Sequence, residues 1–227
     1  WRNWAHTSEC MPERWFYPVS ITEVVKIVKE AASQGKTIRV AGAGHSFTRL
    51  VETDGWIVSL DRLTGIDELN EEKRTVAVFA GTRLYEIGEE LGKRGYALEN
   101  LGDINVQSIA GAISTGTHGT GLSFGNLSSQ VVELVLVTGK GEVLTLSEEK
   151  HPELFKASLV SLGCLGIIVK VKLKIMRAPV YQFKSYKLHF LQLEKQLDEL
   201  MKTNRHFECF IFPYSDLVQI KTMNMTN

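Results

Sequence analysis

Two histidines sit in stretches of small residues that could hold a ligand: His45, after the run Ile38-Arg39-Val40-Ala41, and His118, inside the run from Gly102 to Gly121. In the first stretch a short apolar strand leads straight into Gly42-Ala43-Gly44-His45-Ser46. Glycines at a strand end let backbone N–H groups turn toward a ligand, because no Cβ blocks the approach or a positive φ. Successive N–H groups in such a turn form a concave anion site suited to a pyrophosphate. The imidazole that follows is a good nucleophile near pH 7 when neutral, so a ligand would be held at both ends of the loop. The pattern Gly-x-Gly after a strand does not by itself define a cofactor site. Nor is it the dinucleotide fingerprint of doubly wound folds, because Phe47 stands in place of the third glycine and Thr48 to Gly55 reads as loop, not helix. No Gly-Lys-Ser/Thr sequence occurs, which excludes a Walker-type phosphate loop.

The second stretch, Gly102 to Gly121, is rich in Gly, Ser and Thr, laced with Ile, Val and Ala, and carries Asp103 as its one acidic residue. A surface linker of that length would contain Lys and Glu. Small polar residues among apolar ones instead suit a buried loop whose backbone lies against a large planar ligand. A third stretch, Leu162-Gly163-Cys164-Leu165-Gly166-Ile167-Ile168, has a similar character.

With Val40 to Ser46, Gly116 to Gly121 and Leu162 to Ile168 in this order, the sequence resembles the flavoproteins of the vanillyl-alcohol oxidase type. Within them it is most similar to the L-gulonolactone oxidase and alditol oxidase branch, and Phe212-Pro213-Tyr214 looks like the start of the sugar-oxidase substrate domain. The resemblance implies FAD. Carried over, the pyrophosphate faces the N–H groups of Gly42, Ala43, Gly44 and Ser46, entered from Ala41, and His45 bonds covalently to the flavin 8α-methyl carbon. Ser108, Gly111, Thr115, Gly116 and His118 wrap the flavin and ribityl chain, within a segment that also includes Gly102 and Gly119. For His118 a purely bracing role in its loop is an equal alternative. Gly163 to Ile168, with Ile167 and Ile168 at its end, present backbone to the adenine or ribose side.

The implied reaction is oxidation of an alcohol carbon of a small sugar-derived substrate, an aldonolactone or alditol, by hydride transfer to the flavin. Dioxygen or another acceptor then takes the electrons. No catalytic base or substrate clamp is assignable, because in the family those groups lie in the substrate domain and toward the C-terminal end. Two other readings remain open on the residues: a different flavin oxidase of the same fold, or a flavin-binding domain without turnover.

Composition narrows the field without choosing within it. Among 227 residues, 26 Lys and Arg balance 26 Asp and Glu, so no global field favours nucleic acid or anionic membranes. An apolar share of 44% allows a sizeable core. No run approaches the length of a spanning helix. Cys10, Cys164 and Cys209 have no metal-ligand spacing, so no metal site is expected; unpaired thiols favour a cytoplasmic, reducing setting. The chain begins at Trp1 without an initiator Met, and is expected to be part of a longer polypeptide.

The elements that would position these groups follow from periodicity. Trp1 to Tyr17 reads as an irregular aromatic cover. Ser20 with Glu23 forms a capping box for a helix closed by Gly35. Strands are expected at Thr37–Ala41, Trp56–Leu60 and Thr75–Ala80, with a turn at Gly65-Ile66-Asp67. Thr82 is expected to cap a helix with Leu84, Ile87 and Leu91 inward, in which Gly88 is tolerable if something packs close. Val131–Thr138 reads as a buried strand, Pro152–Leu159 as a helix, and Ile167–Ile175 as a strand with Lys170, Lys172 and Lys174 on a wet face. A helix over Phe190 to Met201 and a strand at Phe207–Phe212 follow. The expected fold class is α+β: an FAD-binding domain over residues 1–178, with a small parallel-sheet subdomain (1–66) and an antiparallel subdomain with flanking helices (67–178). Residues 179–227 would begin an antiparallel substrate domain.

Overall fold

A computed structural model describes residues 1–226. Among the described residues three larger sheets follow one another along the chain, and two short strands pair with each other as a fourth.

The first sheet is parallel and three-stranded. β1 (Arg14–Phe16) and β2 (Ile38–Ala41) flank β3 (Trp56–Ser59), in the order β1-β3-β2. β1 lies inside the N-terminal stretch expected to be irregular; three residues with alternating polar and aromatic character are too short to signal a strand alone. Between β1 and β2 runs α1 (Ile21–Ser33). Its N-cap Ser20 accepts from the Glu23 amide at 3.2 Å, while the Glu23 carboxylate reaches back to the Val19 N–H at 2.9 Å, one residue beyond a capping box. Gly35 follows in the left-handed region, as a helix exit requires. Val24, Ile27, Val28 and Ala31 form the buried face.

The second sheet is antiparallel, ordered β4-β5-β9-β7-β8. β4 (Ile66–Asn70) and β5 (Thr75–Phe79) form a hairpin, so Ile66 and Asp67 open a strand instead of the expected turn. α2 (Leu84–Gly92) buries Leu84, Ile87 and Leu91. Arg83, not Thr82, is its N-cap: the Thr82 hydroxyl is already committed to Phe79 O at 2.6 Å and to the Gly65 N–H at 2.9 Å. Nothing packs against Gly88, so its helix-weakening effect is uncompensated there. β6 (Tyr96–Ala97) precedes α3 (Ile109–Ser114), which occupies part of the segment expected to be loop. Ile109, Ala112 and Ile113 sit at helical spacing and are fully buried, and that burial outweighs the loop-like composition around them. β7 (Val131–Val137), β8 (Val143–Ser147), α4 (Pro152–Leu159) and β9 (Ile167–Lys174) complete the unit. On the wet face of β9, Lys170 and Lys172 pair with Asp67 and Glu68 of β4, reaching over β5 at 2.9 and 3.2 Å. β10 (Met176–Arg177) returns to pair with β6. One apolar core runs through α1, both sheets, α2 and α3.

The third sheet is built from β11 (Tyr181–His189), β12 (His206–Ile211) and β13 (Leu217–Met225), antiparallel in the order β11-β13-β12. α5 (Phe190–Thr203) lies against it, with Leu193, Val218 and Ile220 as its own small core. The described architecture is α+β, with a parallel sheet beside antiparallel ones.

Candidate cofactor cleft

β2 and β3 deliver their C-terminal ends to the same edge, where the first and second sheets meet. A cleft of about 370 Å³ opens there. One wall is the chain leaving β2, Ala41 through Ser46; the facing wall is Ser108, Gly111, Ser114 and Thr115 of α3 and its flanks. Val137 to Gly139 after β7 and Leu162 to Ile168 before β9 close one end, and Leu60 and Asp61 after β3 stand at the side.

Glycine makes this closeness possible. A Cβ on Gly42 would lie 2.5 Å from the Ser108 hydroxyl. Gly44 has φ +70° and turns the loop back on itself. The N–H groups of Gly42, Ala43, Gly44, His45 and Ser46 find no acceptor among the described residues. Backbone donors left without a partner in a folded chain look to a ligand or water, and a run of five is a donor set fitted to phosphate oxygens. The other walls, Val28, Ala31, Val40, Val137 and Ile167, are apolar enough to cover rings. The residues present therefore fit a dinucleotide.

His45 lines this cleft. Its ring stacks on Trp4, with centroids 5.3 Å apart and planes 20° from parallel, and neither ring nitrogen has a hydrogen-bond partner among the described residues.

Of the residues singled out in the sequence, Ala41, Gly42, Ala43, Gly44, His45, Ser46, Ser108, Gly111, Thr115, Ile167 and Ile168 come together around the cleft. Gly102, His118 and Gly119 line a second cavity, of about 580 Å³, whose other side is built by Tyr181, Phe183, His206 and Met223 of the third sheet unit. His118 Nδ1 lies 2.9 Å from Gly119 O, so the ring braces its own loop. Gly116, at φ +67°, lines neither cavity; it turns the chain out of α3.

Further groups line the cleft beside those singled out, most of them inside the same small-residue stretches. Asp61 is held by Arg83 at 2.8 Å. Gln107 donates to Thr117 Oγ1 at 3.1 Å, leaving its Oε1 buried and unpartnered among the described residues. Ser114 and Leu162 to Leu165 reach the cleft only because α3 and the loop before β9 abut. In the second cavity His206 is 6% exposed. Its Nδ1 lies 3.1 Å from Thr120 O, and burial holds its pKa below the usual histidine value. Among the described residues no group of three or more His, Cys, Asp or Glu is placed to hold a metal ion, and no helix is long and apolar enough to cross a membrane.

Residues 12–147 match the family model described as FAD binding domain, and the chain belongs to that family. Residues 171–227 match the model described as D-arabinono-1,4-lactone oxidase. The chain is 43% identical over 220 residues to a D-arabinono-1,4-lactone oxidase of Kluyveromyces lactis, covering 94% of this chain and 42% of that protein. It is 38% identical over 227 residues to an L-gulono-1,4-lactone dehydrogenase of Mycobacterium tuberculosis, covering 100% and 52%. An L-gulonolactone oxidase of Bos taurus is 35% identical over 226 residues, at 100% and 51% coverage. These matches bear out the resemblance carried by the three small-residue motifs. The chain spans about half the length of these relatives. In fold it is similar to a variant of cholesterol oxidase from Brevibacterium sterolicum, with TM-score 0.88 and 20% identity, over 100% of this chain and 47% of that one.

Proposed function

We propose that this chain is the FAD-binding part, with the first strands of the substrate part, of an oxidoreductase acting on an alcohol carbon of a sugar-derived lactone or alditol. The observation that carries the reading is the run of amides from Gly42 to Ser46, His45 among them, that lines the cleft without acceptors among the described residues. In this reading those amides hold the pyrophosphate, and Ser108, Gly111 and Thr115 face the ribityl chain and flavin. Gly102, Gly116, His118 and Gly119 shape the loop that separates the two cavities. Ile167 and Ile168 cover the adenosine end.

Bound FAD supplies the two-electron acceptor for the substrate's hydride and passes the pair to dioxygen or another acceptor. His45 is the tether. Its ring nitrogen, left without a hydrogen-bond partner among the described residues, would hold the flavin at its 8α-methyl carbon; the bond would cost one proton from each side, and the two electrons would leave through the cofactor to dioxygen as hydrogen peroxide. The second cavity supports a polyhydroxylated substrate, since Glu99, Asn100, Thr120, Glu208 and Lys221 all face it. The similarity to lactone oxidases and dehydrogenases supports an aldonolactone over a free alditol. The free thiols of Cys10, Cys164 and Cys209 support a reducing, cytoplasmic compartment.

The test is turnover of D-arabinono-1,4-lactone and L-gulono-1,4-lactone by the full-length protein, with absorbance of the acid-precipitated pellet near 450 nm. Turnover with a yellow pellet is expected. A protein that binds FAD and oxidises neither lactone nor any alditol would leave only a flavin-binding module.

A further inference from the structure

The loop that ends in His45 is held from outside by the N-terminal turn, residues 3 to 8. Asn3 is 1% exposed and uses its whole amide group. Its Oδ1 accepts from the N–H groups of Thr7 and Ser8, at 2.9 and 3.1 Å, closing the turn. Its Nδ2 donates to Thr7 Oγ1 at 2.9 Å and to Ser46 O at 3.0 Å, joining the turn to the loop. Next to it, the Trp4 N–H donates to Gly44 O at 2.8 Å, and Thr7 Oγ1 donates to Phe47 O at 3.2 Å. Three loop carbonyls are thus drawn toward the turn. In a trans peptide the N–H that follows points opposite its carbonyl, so the Gly44 tie turns the His45 N–H away from the arm and toward the cleft.

Among the described residues the imidazole makes no hydrogen bond, and the ring stacked on it is Trp4. Trp4 is 64% exposed and lies outside the apolar core, so its ring is free of packing duties there. An exposed aromatic ring held by its backbone and laid flat on a histidine without hydrogen-bond partners is a means of fixing that ring's plane.

We propose that Trp4 and Asn3 are positioning residues for His45, setting the plane and reach of its imidazole for bond formation to the cofactor. The inference rests on the tether reading above. Because Trp4 is largely solvent-exposed, its removal leaves folding nearly intact, which makes the effect separable.

Full-length apo-protein from riboflavin-starved cells would be reconstituted with saturating FAD, and the first-order growth of acid-stable flavin followed in the pellet. Trp4→Ala is expected to slow attachment on the order of ten- to a hundred-fold, the range of a small misplacement of reacting groups. Trp4→Phe, which restores a ring face, should recover most of the rate. Asn3→Asp keeps the acceptor for Thr7 and Ser8 but loses the donor to Ser46, and should be slow as well. Non-covalent FAD affinity, measured in a His45→Ala background, should be the same with and without Trp4→Ala; a merely structural role would weaken it. Attachment by Trp4→Ala at the wild-type rate, or no recovery by Trp4→Phe, overturns the proposal while the tether stands. A colourless wild-type pellet removes the tether and this inference together.

Discussion

The sheets around the cofactor cleft and the sheet at the C-terminal end bury their apolar residues very differently. In the first region Trp56, Leu84, Ile87, Leu134, Leu136 and Leu173 are fully enclosed in one continuous core. In the second, Leu193, Val218 and Ile220 are the buried centre, while Phe183, Phe210, Ile211, Phe212 and Leu217 stay exposed. Each region has long paired strands, β7 and β9 of 7 and 8 residues in the first and β11 and β13 of 9 residues each in the second. Hydrogen-bonded pairing is therefore not what distinguishes them. The cleft region has the packing to hold donors at fixed positions, whereas the C-terminal sheet is a surface with a thin core behind it.

That contrast can be broken in four ways. The largest effect is expected from Leu136→Ala, which empties part of the shared core; about 2–5 kcal/mol of stability should be lost, seen as a cooperative fall in Tm that takes FAD binding with it. Survival of FAD binding at wild-type affinity would mean that the cleft does not depend on this core. Next is Gly42→Ala. Its new methyl would meet the Ser108 hydroxyl at 2.5 Å, and FAD affinity should drop about ten-fold, an effect of roughly 1.4 kcal/mol. Adding Ser108→Gly should restore most of it; a double variant no better than the single would place the clash elsewhere.

A smaller and local effect is expected from Ile220→Ala. Hydrogen exchange should rise in β11, β12 and β13 while β7 and β9 remain protected, as separate cooperative units would. Equal loss of protection in both regions would join them into one unit.

The smallest effect concerns the contact between the regions. His206 stacks on Phe124 and meets Tyr181 edge-on, and burial lowers its pKa in the folded state. The unfolded chain therefore binds the proton more readily, at about pH 6.5. Stability from this group is present above that pH and is lost as pH falls through the window toward the lower folded value. Tm should drop between pH 7.5 and 5.5 by more in the wild type than in His206→Phe; equal drops would clear His206 of the role.

Where one residue type decides the local conformation, the sequence was easy to read. Ser20, Gly35 and the Val24, Val28, Ala31 spacing mark α1, and Pro152 marks the start of α4. The loop from Gly42 to Ser46 was legible because only glycine tolerates that close approach. At other positions tertiary packing outweighs composition. Ile109, Ala112 and Ile113 make a helix out of a Gly- and Ser-rich run, and Ile66 begins a strand after a glycine because β5 is there to pair with it. β11 and β13 were missed because their alternation is masked by Lys, Gln and Met on a weakly buried sheet. Asp61 reaches the cleft only through the meeting of two sheets, which no local pattern encodes.

Gly81 marks that meeting point. Any side chain there would run into the carbonyl oxygen of Leu60, while the Gly81 N–H bonds to Leu63 O at 3.1 Å. The exits of β3 and β5 are thus pressed backbone to backbone, with no room for a methyl group at the seam. A larger residue at this one position would wedge the two halves apart and widen the groove they share.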